Sequence, residues 1–586
     1  MIRRAIPSRV EALWLLLCAG ILIWKLLLPG FVGMADNGDF AKVAGPLSLG
    51  NSEPAQRSFL HAAYLRDKAY YYNPHFLSSE VSLAWAASSL ERIFGDPAKF
   101  DIRWLGAVHG LIFLASYYAV LILLRPLSAV TRSALSLIAL WIFADIGLIA
   151  YLNSFYSDVP AAVCGLAAVF IGARLLAARE PALSTLVFFT LAALPFITSK
   201  AQHGVLGFIP AGAAFLCGWH ASEKATRAAG YLSGMLLLAA TAWMLAGTPG
   251  WYTAQARFNL IFLKILNHSP SPARDMQELG LVPGDARHIG LEAYVPGGPL
   301  SDPAWEAAFR ARTSYGRVLG FYLRHPSRAL AILRSDLERE AWRRYTPGFA
   351  SFQKPGGPEC SAAQFGGPEC SANSGLGSWS ALRSRACRVW PAHLVLWFAV
   401  LLPATLLFAL RRAGAPRHSL AWTTLAVGIM AVVEFTLASL TDACETARHL
   451  FLFHVFTDAS IFLALVAAAV ALETARPASL QWPAAVAVAC VAAILAAGIV
   501  RAEFVSSAGS AALNVTPISG TVDATGNAVA YAGVWQAVPF RPAFGGTLVY
   551  SDQPDATARV CFDGTELQYV HTRAFNRGLA EVTIPA

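Results

Sequence analysis

Runs of about 20 mainly apolar residues recur along this chain, each long enough to cross the hydrocarbon core of a bilayer as a helix. They fall near 11–32, 103–124, 133–152, 159–178, 182–198, 203–219, 228–247, 391–411, 419–440, 449–472 and 482–500, with 182–198 and 203–219 the shortest. A chain carrying so many such runs has no way to hide them in a water-soluble core. Of its 586 residues 56% are hydrophobic and 14% charged, whereas a soluble domain carries roughly a quarter charged residues. Disordered, collagen-like and small disulfide-stapled secreted classes are excluded on the same ground. The pattern predicts an all-α polytopic membrane protein with about 11 transmembrane helices. The formal net charge of +9 then reports on the loops, not on a nucleic-acid partner.

Short loops rich in Lys and Arg stay cytoplasmic. The connectors holding Arg125/Arg132, Arg174/Arg179, Lys224/Arg227, Arg411/Arg412/Arg417 and Arg476 alternate with acidic or neutral ones, and Arg3, Arg4 and Arg9 fall on the same side. This places the N-terminus inside and, with an odd span count, the C-terminus outside. Gly33-Met34-Ala35 loosely resembles a signal-peptide cleavage site, but the preceding apolar run exceeds the roughly 7–15 residues of a signal core. The first segment therefore reads as an uncleaved span.

The expected organisation is a transmembrane module over 1–247 with a first outer loop at 33–102, a large outer loop at 248–390, further transmembrane helices over 391–500, and a small β-rich outer domain at 501–586. Within the first loop, Val81–Phe94 is amphipathic and suits a helix lying on the membrane surface. In the tail, Gly546–Tyr550 and Thr557–Phe562 are strand-like runs between turn residues. Cys18, Cys164, Cys217 and Cys490 lie in spans, where Cys is a small apolar filler. Cys360, Cys370, Cys387, Cys444 and Cys561 face the oxidising side. A Cys360–Cys370 bridge, a Cys370–Cys387 bridge and a loop of unpaired thiols all fit the short duplication Gly356–Ala362/Gly366–Ala372.

Ionisable side chains in spans are costly and tend to face a cavity or a partner. Lys25, Asp145, Glu434, His454 and Asp458 sit in or beside spans, all toward the outer half. Four outer span ends add polar clusters. These are Ala35-Asp36-Asn37-Gly38-Asp39-Phe40, Asn153-Ser154-Phe155-Tyr156-Ser157-Asp158, Thr198-Ser199-Lys200-Ala201-Gln202-His203, and Thr441-Asp442-Ala443-Cys444-Glu445-Thr446-Ala447-Arg448-His449. A bundle can bring all four to one level. Carboxylates there can accept a hydroxyl proton or hold a divalent cation such as Mg or Mn, while Lys and Arg can neutralise a phosphate leaving group. That inventory suits sugar transfer from a lipid-phosphate donor at the outer surface.

Plainer readings stand beside these. Asp36 and Asp39 can build an Asn37-Gly38 turn, and Ser157 or Asp158 before Pro160 is a good helix N-cap. Lys200 can snorkel, and Glu445 and Arg448 can form a local pair. Glu445 and His449 have metal-ligand spacing but no further spaced His. His109 and His203 read as hydrogen-bonded core or interface histidines.

The residues resemble a GT-C-type, polyprenyl-phosphate-sugar-dependent glycosyltransferase, and within that group the bacterial glycan-biosynthesis hexose transferases. Besides the four clusters, the resemblance rests on Arg257-Phe258-Asn259, Ile261–Leu266, Glu278-Leu279-Gly280-Leu281, Phe321–Pro326 and Glu445–His449, and covers roughly residues 10–475. It implies a multi-pass protein of the bacterial plasma membrane with Asp39 as catalytic base, Asp36 second, and Asp158 in the second acidic motif. Lys200 and Arg448, with His449, would hold the donor phosphate. Glu445, Arg257, Asn259, Tyr156 and Gln202 would line the substrate site. A divalent cation stays open, and the partners implied are a polyprenyl-phosphate sugar and a glycan or lipid-linked acceptor. The rival readings are a flippase for lipid-linked sugar and a lipid-diphosphate-dependent polymerase or ligase. The latter would use a loop histidine such as His268, His288 or His325.

Overall fold

The computed structural model describes residues 7–344 apart from 30, 37, 51–59, 68–75, 179 and 296, then 350–352, 376–389, most of 394–475 and short strands between 529 and 560. Among them seven helices are long and apolar enough to cross a membrane: α1 (Arg9–Leu27), α3 (Ile102–Leu123), α6 (Asp158–Ala177), α8 (Ala201–His220), α9 (Lys224–Ala246), α16 (Ala415–Thr441) and α17 (Thr446–Glu473). An eighth span arises if α4 (Ala129–Phe143) and α5 (Ile146–Leu152), bent by 51° at Asp145, are one. The apolar helix α7 (Leu183–Ile197) is shorter than a full crossing. Of the remaining expected spans, 391–411 is described only in part and 482–500 lies outside the described residues.

Caps set the helix starts. Ser8 and Glu11 form a reciprocal capping box on α1, Asp101 accepts from Arg103 N at the start of α3, and Ser128 opens α4. The bend between α4 and α5 has a local cause: the Asp145 carboxylate caps the new helix through Gly147 N at 2.8 Å. α6 is buried on almost every face and packs on α3, α7, α16 and α17. It is the post around which the bundle is arranged, and its first residue is Asp158.

The first loop is tied to the span ends. Its helix α2 (Ser79–Phe94) is amphipathic as expected, burying Glu80, Ala84, Ala87 and Glu91 and exposing Trp85, Ile93 and Phe94. Asn153 Nδ2 donates to the carbonyls of Leu26 (3.0 Å) and Val32 (2.7 Å). Gly106 leaves room for that amide, since a Cβ there would collide with Asn153 Oδ1. Short strands β1 (Val32–Met34), β2 (Leu49–Gly50), β3 (Ala63–Arg66) and β4 (Lys99–Asp101) follow, the last three forming one antiparallel sheet. β1 pairs antiparallel with β5 (Ala350–Phe352), which joins the two large loops.

The second loop builds its own aromatic core from α10 (Gly250–Asn259), α11 (Pro272–Glu278), α12 (Pro303–Arg312) and α13 (Tyr315–Arg324), with α14 (Pro326–Arg339) behind them. α15 (Ser378–Val389) lies against the bundle: Trp141 Nε1 donates to Ser378 Oγ at 2.9 Å, and Arg383 pairs with Asp458 of α17 at 3.3 Å. In the tail, β6 (Val529–Ala532) pairs with β9 (Thr557–Val560) and β7 (Gln536–Pro539) with β8 (Thr547–Tyr550), all antiparallel. The two strand-like runs read from sequence are β8 and β9. Cys360, Cys370 and Cys561 lie outside the described residues.

Candidate active site

The turn after α1 is built by Asp36. Its Oδ1 accepts from Gly38 N (2.6 Å) and Phe40 N (3.2 Å), and Gly38 adopts φ +104°, a left-handed conformation that favours glycine. Asp36 therefore shapes the turn, and Asp39 is the carboxylate the turn presents. Aromatic packing fixes it: Phe40 meets Tyr156 edge-on at 4.9 Å and Phe155 at 5.6 Å, and Tyr156 OH donates to Ala35 O at 2.9 Å.

Four span ends converge on this turn. Arg448 Nη2 donates to Asp39 Oδ2 at 2.9 Å, its Nε to Glu445 Oε2 at 2.7 Å, and its Nη1 lies 3.7 Å from Asp158 Oδ2. The Arg448 guanidinium also stands 5.2 Å over the ring of Tyr156. Lys200 Nζ donates to Asp158 Oδ1 at 3.3 Å and to His449 Nδ1 at 3.1 Å. Accepting there keeps the His449 proton on Nε2, which faces Asp442 at 3.7 Å. Ser157 makes no side-chain cap on α6, and Asp158 is the first helical residue rather than its cap. The capping reading of this pair is thus replaced by an ionic one, because Asp158 is drawn across to Lys200.

Behind Asp158 lies a relay of His203, Glu434 and Gln202, residues that the sequence marks separately and the fold joins. His203 Nε2 is 3.1 Å from Asp158 Oδ1 and its Nδ1 2.8 Å from Glu434 Oε1. Gln202 Nε2 donates to Glu434 Oε2 at 2.7 Å and to His449 O at 3.4 Å. His203 is indeed buried and hydrogen-bonded, but its partners are a pocket carboxylate and a carboxylate in mid-span. By contrast His109, held by Leu152 O (2.8 Å) and Glu80 (3.1 Å), is the core histidine expected.

Two further lysines were missed. Lys42 Nζ donates to Asp39 Oδ1 at 2.5 Å and sits 4.8 Å over Tyr252 and 5.5 Å over Phe76. Its spacing of three from Asp39 was the available signal. Lys264 Nζ joins Asp336 (2.7 Å), Thr446 Oγ1 (3.2 Å) and Asp442 O (3.4 Å), tying the second loop to the start of α17. Glu445, in the left-handed region at φ +53°, holds that corner in a conformation disfavoured for a non-glycine residue.

Arg257 and Asn259 are not brought into the pocket. Arg257 lies over Phe309 and Tyr315, and Asn259 Oδ1 accepts from Ala293 N at 2.8 Å, so both make their contacts within the second loop's aromatic core. The loop histidines are elsewhere too: His325 pairs with Glu278 at 3.0 Å, His288 packs among Phe258, Phe262 and Trp305, and His268 is exposed.

The electrostatics set Asp39 apart. Burial alone would raise its pKa, but Lys42 and Arg448, with Lys200 beyond, hold the carboxyl well below the usual carboxylate range. It still keeps 26% of its side-chain surface open, whereas Asp158 keeps 2%. Asp442 moves the other way: burial raises it despite the N–H groups of Ala443 and Cys444. Among the described residues no three His, Cys, Asp or Glu side chains gather as metal ligands. Asp39, Asp158 and Glu445 each have Lys or Arg against them.

Fold and ion-pair cluster together define a polytopic membrane protein with a charge-rich site where several spans end. Residues 2–479 match the family model described as the YfdI N-terminal transmembrane domain. The chain belongs to that family, which is associated with membrane glycosyltransferases of GT-C-like type. No curated protein matches it.

Proposed function

We propose that this chain is an integral-membrane glycosyltransferase that moves a sugar, a hexose by resemblance, from a polyprenyl-phosphate donor to a glycan or lipid-linked acceptor outside a bacterial plasma membrane. The observation that carries the reading is the contact of a partly open carboxylate, Asp39, with Arg448, which shares the buried Asp158 with Lys200. A base and two cations suited to a phosphate thereby stand side by side.

In the proposed reaction the donor phosphate draws Arg448 and Lys200 from their carboxylates. Loss of Arg448 returns basicity to Asp39, whose two oxygens are otherwise held by Arg448 and Lys42. Asp39 then takes the acceptor hydroxyl proton, the hydroxyl oxygen attacks the anomeric carbon, and the bond to the phosphate oxygen breaks with inversion. The charge developing on the departing phosphate is met by Arg448 and Lys200. His203, Glu434 and Gln202 hold Asp158 and the His449 backbone in place from below. The second loop roofs the pocket, with Tyr252 against Lys42.

The test is transfer from a panel of synthetic polyprenyl-phosphate sugars by wild type, Asp39→Asn and Asp39→Ala. Turnover by the wild type alone supports the assignment, and undiminished turnover by folded variants removes Asp39 as base. If no donor is consumed while labelled lipid crosses vesicles, the protein is a flippase.

A further inference from the structure

The second loop carries an apolar face that its own core does not use. α13 buries Val318, Phe321 and Tyr322 against Phe258, Phe262 and Phe309. On its opposite side Leu319 and Leu323, one turn apart, are 59% and 73% exposed, and α14 adds Leu330 at 65%. A loop bathed only in water would place charge at such positions. Yet residues 313–335 contain four arginines and no Asp or Glu. Arg324 and Arg328 reach Glu278 and Asp275 of α11, whereas Arg317 and Arg334 lie exposed beside the leucines, Arg334 with Glu338 on its own helix. This is the composition of an interfacial helix, with aliphatic side chains on one face and cations at its border.

The hairpin's attachment says what covers that face. Tyr315 OH donates to Thr441 O, the last residue of the span α16, at 3.2 Å. Leu440 packs into the cluster that α13 buries, and α14 lies along α16. Farther down α16 expose Trp422, Ile429 and Val432, an apolar belt of the kind that meets lipid. The hairpin that carries the leucine face is thus fixed to the end of a helix long and apolar enough to cross a membrane.

We propose that the α13–α14 hairpin lies in the membrane leaflet on the pocket side, with Leu319, Leu323 and Leu330 among acyl chains and Arg317 and Arg334 at the headgroups of anionic phospholipids. The roof of the pocket is then anchored in the leaflet. This does not depend on which reaction the pocket performs.

The full chain reconstituted in nanodiscs of phosphatidylcholine, with or without phosphatidylglycerol, and traced with a phospholipid bearing a diazirine on its acyl chain, tests this by mass spectrometry of adducts. Adducts are expected on peptides covering 315–335 as well as on α16. Phosphatidylglycerol should raise the hairpin yield, by about fivefold per engaged arginine, and Arg317→Gln with Arg334→Gln should cancel the rise. Leu319→Ser with Leu323→Ser should remove hairpin adducts while those on α16 persist, which shows that the bundle is intact. Adducts on α16 with none on the hairpin would overturn the proposal, as would hairpin-to-hairpin crosslinks between two copies, or no response to phosphatidylglycerol.

Discussion

Two ionic clusters ride on the same helix, α17, and differ in what surrounds them. At its first turn Arg448 and His449 join an ionic cluster whose partners come from loops and span ends, and Asp39 there stays partly open. Farther along, Asp458 accepts from Arg344 Nη2 at 2.6 Å and pairs with Arg383 at 3.3 Å. Arg344 Nε reaches Ser380 Oγ at 3.3 Å, and Ser380 N donates to Asp145 at 2.9 Å. All of these groups are buried. Arg344 Nη1 and Arg383 Nη2 find no acceptor among the described residues, and the void lined by Arg344, His454 and Asp458 has room for about one water. Phe451, which also lines that void, stacks on Tyr151 with ring centroids 3.9 Å apart. The same chemistry thus serves two ends. Around Asp39, on the proposed reading, shared ion pairs leave cations ready to change partner for a donor phosphate. Around Asp458, where every partner is buried, they clamp α15 and the second loop's end to the bundle.

The comparison is broken or sharpened by substitutions on each side. Asp39→Asn is expected to cost transfer on the order of 10²–10⁴-fold, the range for a general base, with a smaller loss of thermal stability in detergent than Asp458→Ala causes. Asp458→Ala should do the reverse in kind. It leaves two buried arginines without a counterion and should destabilise the fold by about 3–5 kcal/mol, read as a fall in unfolding temperature. Replacing the group together, Asp458→Leu with Arg344→Met and Arg383→Met, should restore most of that loss, and failure to do so would show that the cluster does more than clamp. His203→Gln should lower donor kcat/KM roughly tenfold to a hundredfold, the range for an orphaned buried polar group, with acceptor KM unmoved. An unchanged donor kcat/KM would detach the relay from the pocket.

A pH effect on the pocket side is expected to be smaller. The folded-state pKa of Asp39 is depressed, so its pairing contributes stability above the unfolded carboxyl value of about 3.9 and loses it as pH falls through the lower folded value. The stability gap between wild type and Asp39→Asn should hold from neutral pH to about 5 and close below about 4. A gap unchanged at low pH would mean that Asp39 is not ion-paired.

Much of the bundle was legible because apolar runs mark spanning helices directly, and the four segments of the site stand at span ends in the sequence. The pairing was not legible. Nothing local in the sequence says that Arg448 reaches Asp39 across 409 positions, or that His203 bridges Asp158 to Glu434, because those contacts arise only from the packing of α6, α8, α16 and α17. Asp36 looked like a second acid, whereas short-range turn geometry consumes its carboxylate. Arg257 and Asn259 stand in a motif-like segment whose side chains pack within the second loop. Arg344 and Arg383 drew no notice because a loop arginine usually meets water.

The central claim is that Asp39 and Arg448 act on one another in a single pocket. A double-mutant cycle of Asp39→Asn and Arg448→Gln, read as thermal stability of the full chain in detergent, tests it without any assumption about substrate. The account expects a coupling of about 1–3 kcal/mol between the two sites. Effects that add within about 0.5 kcal/mol would contradict it.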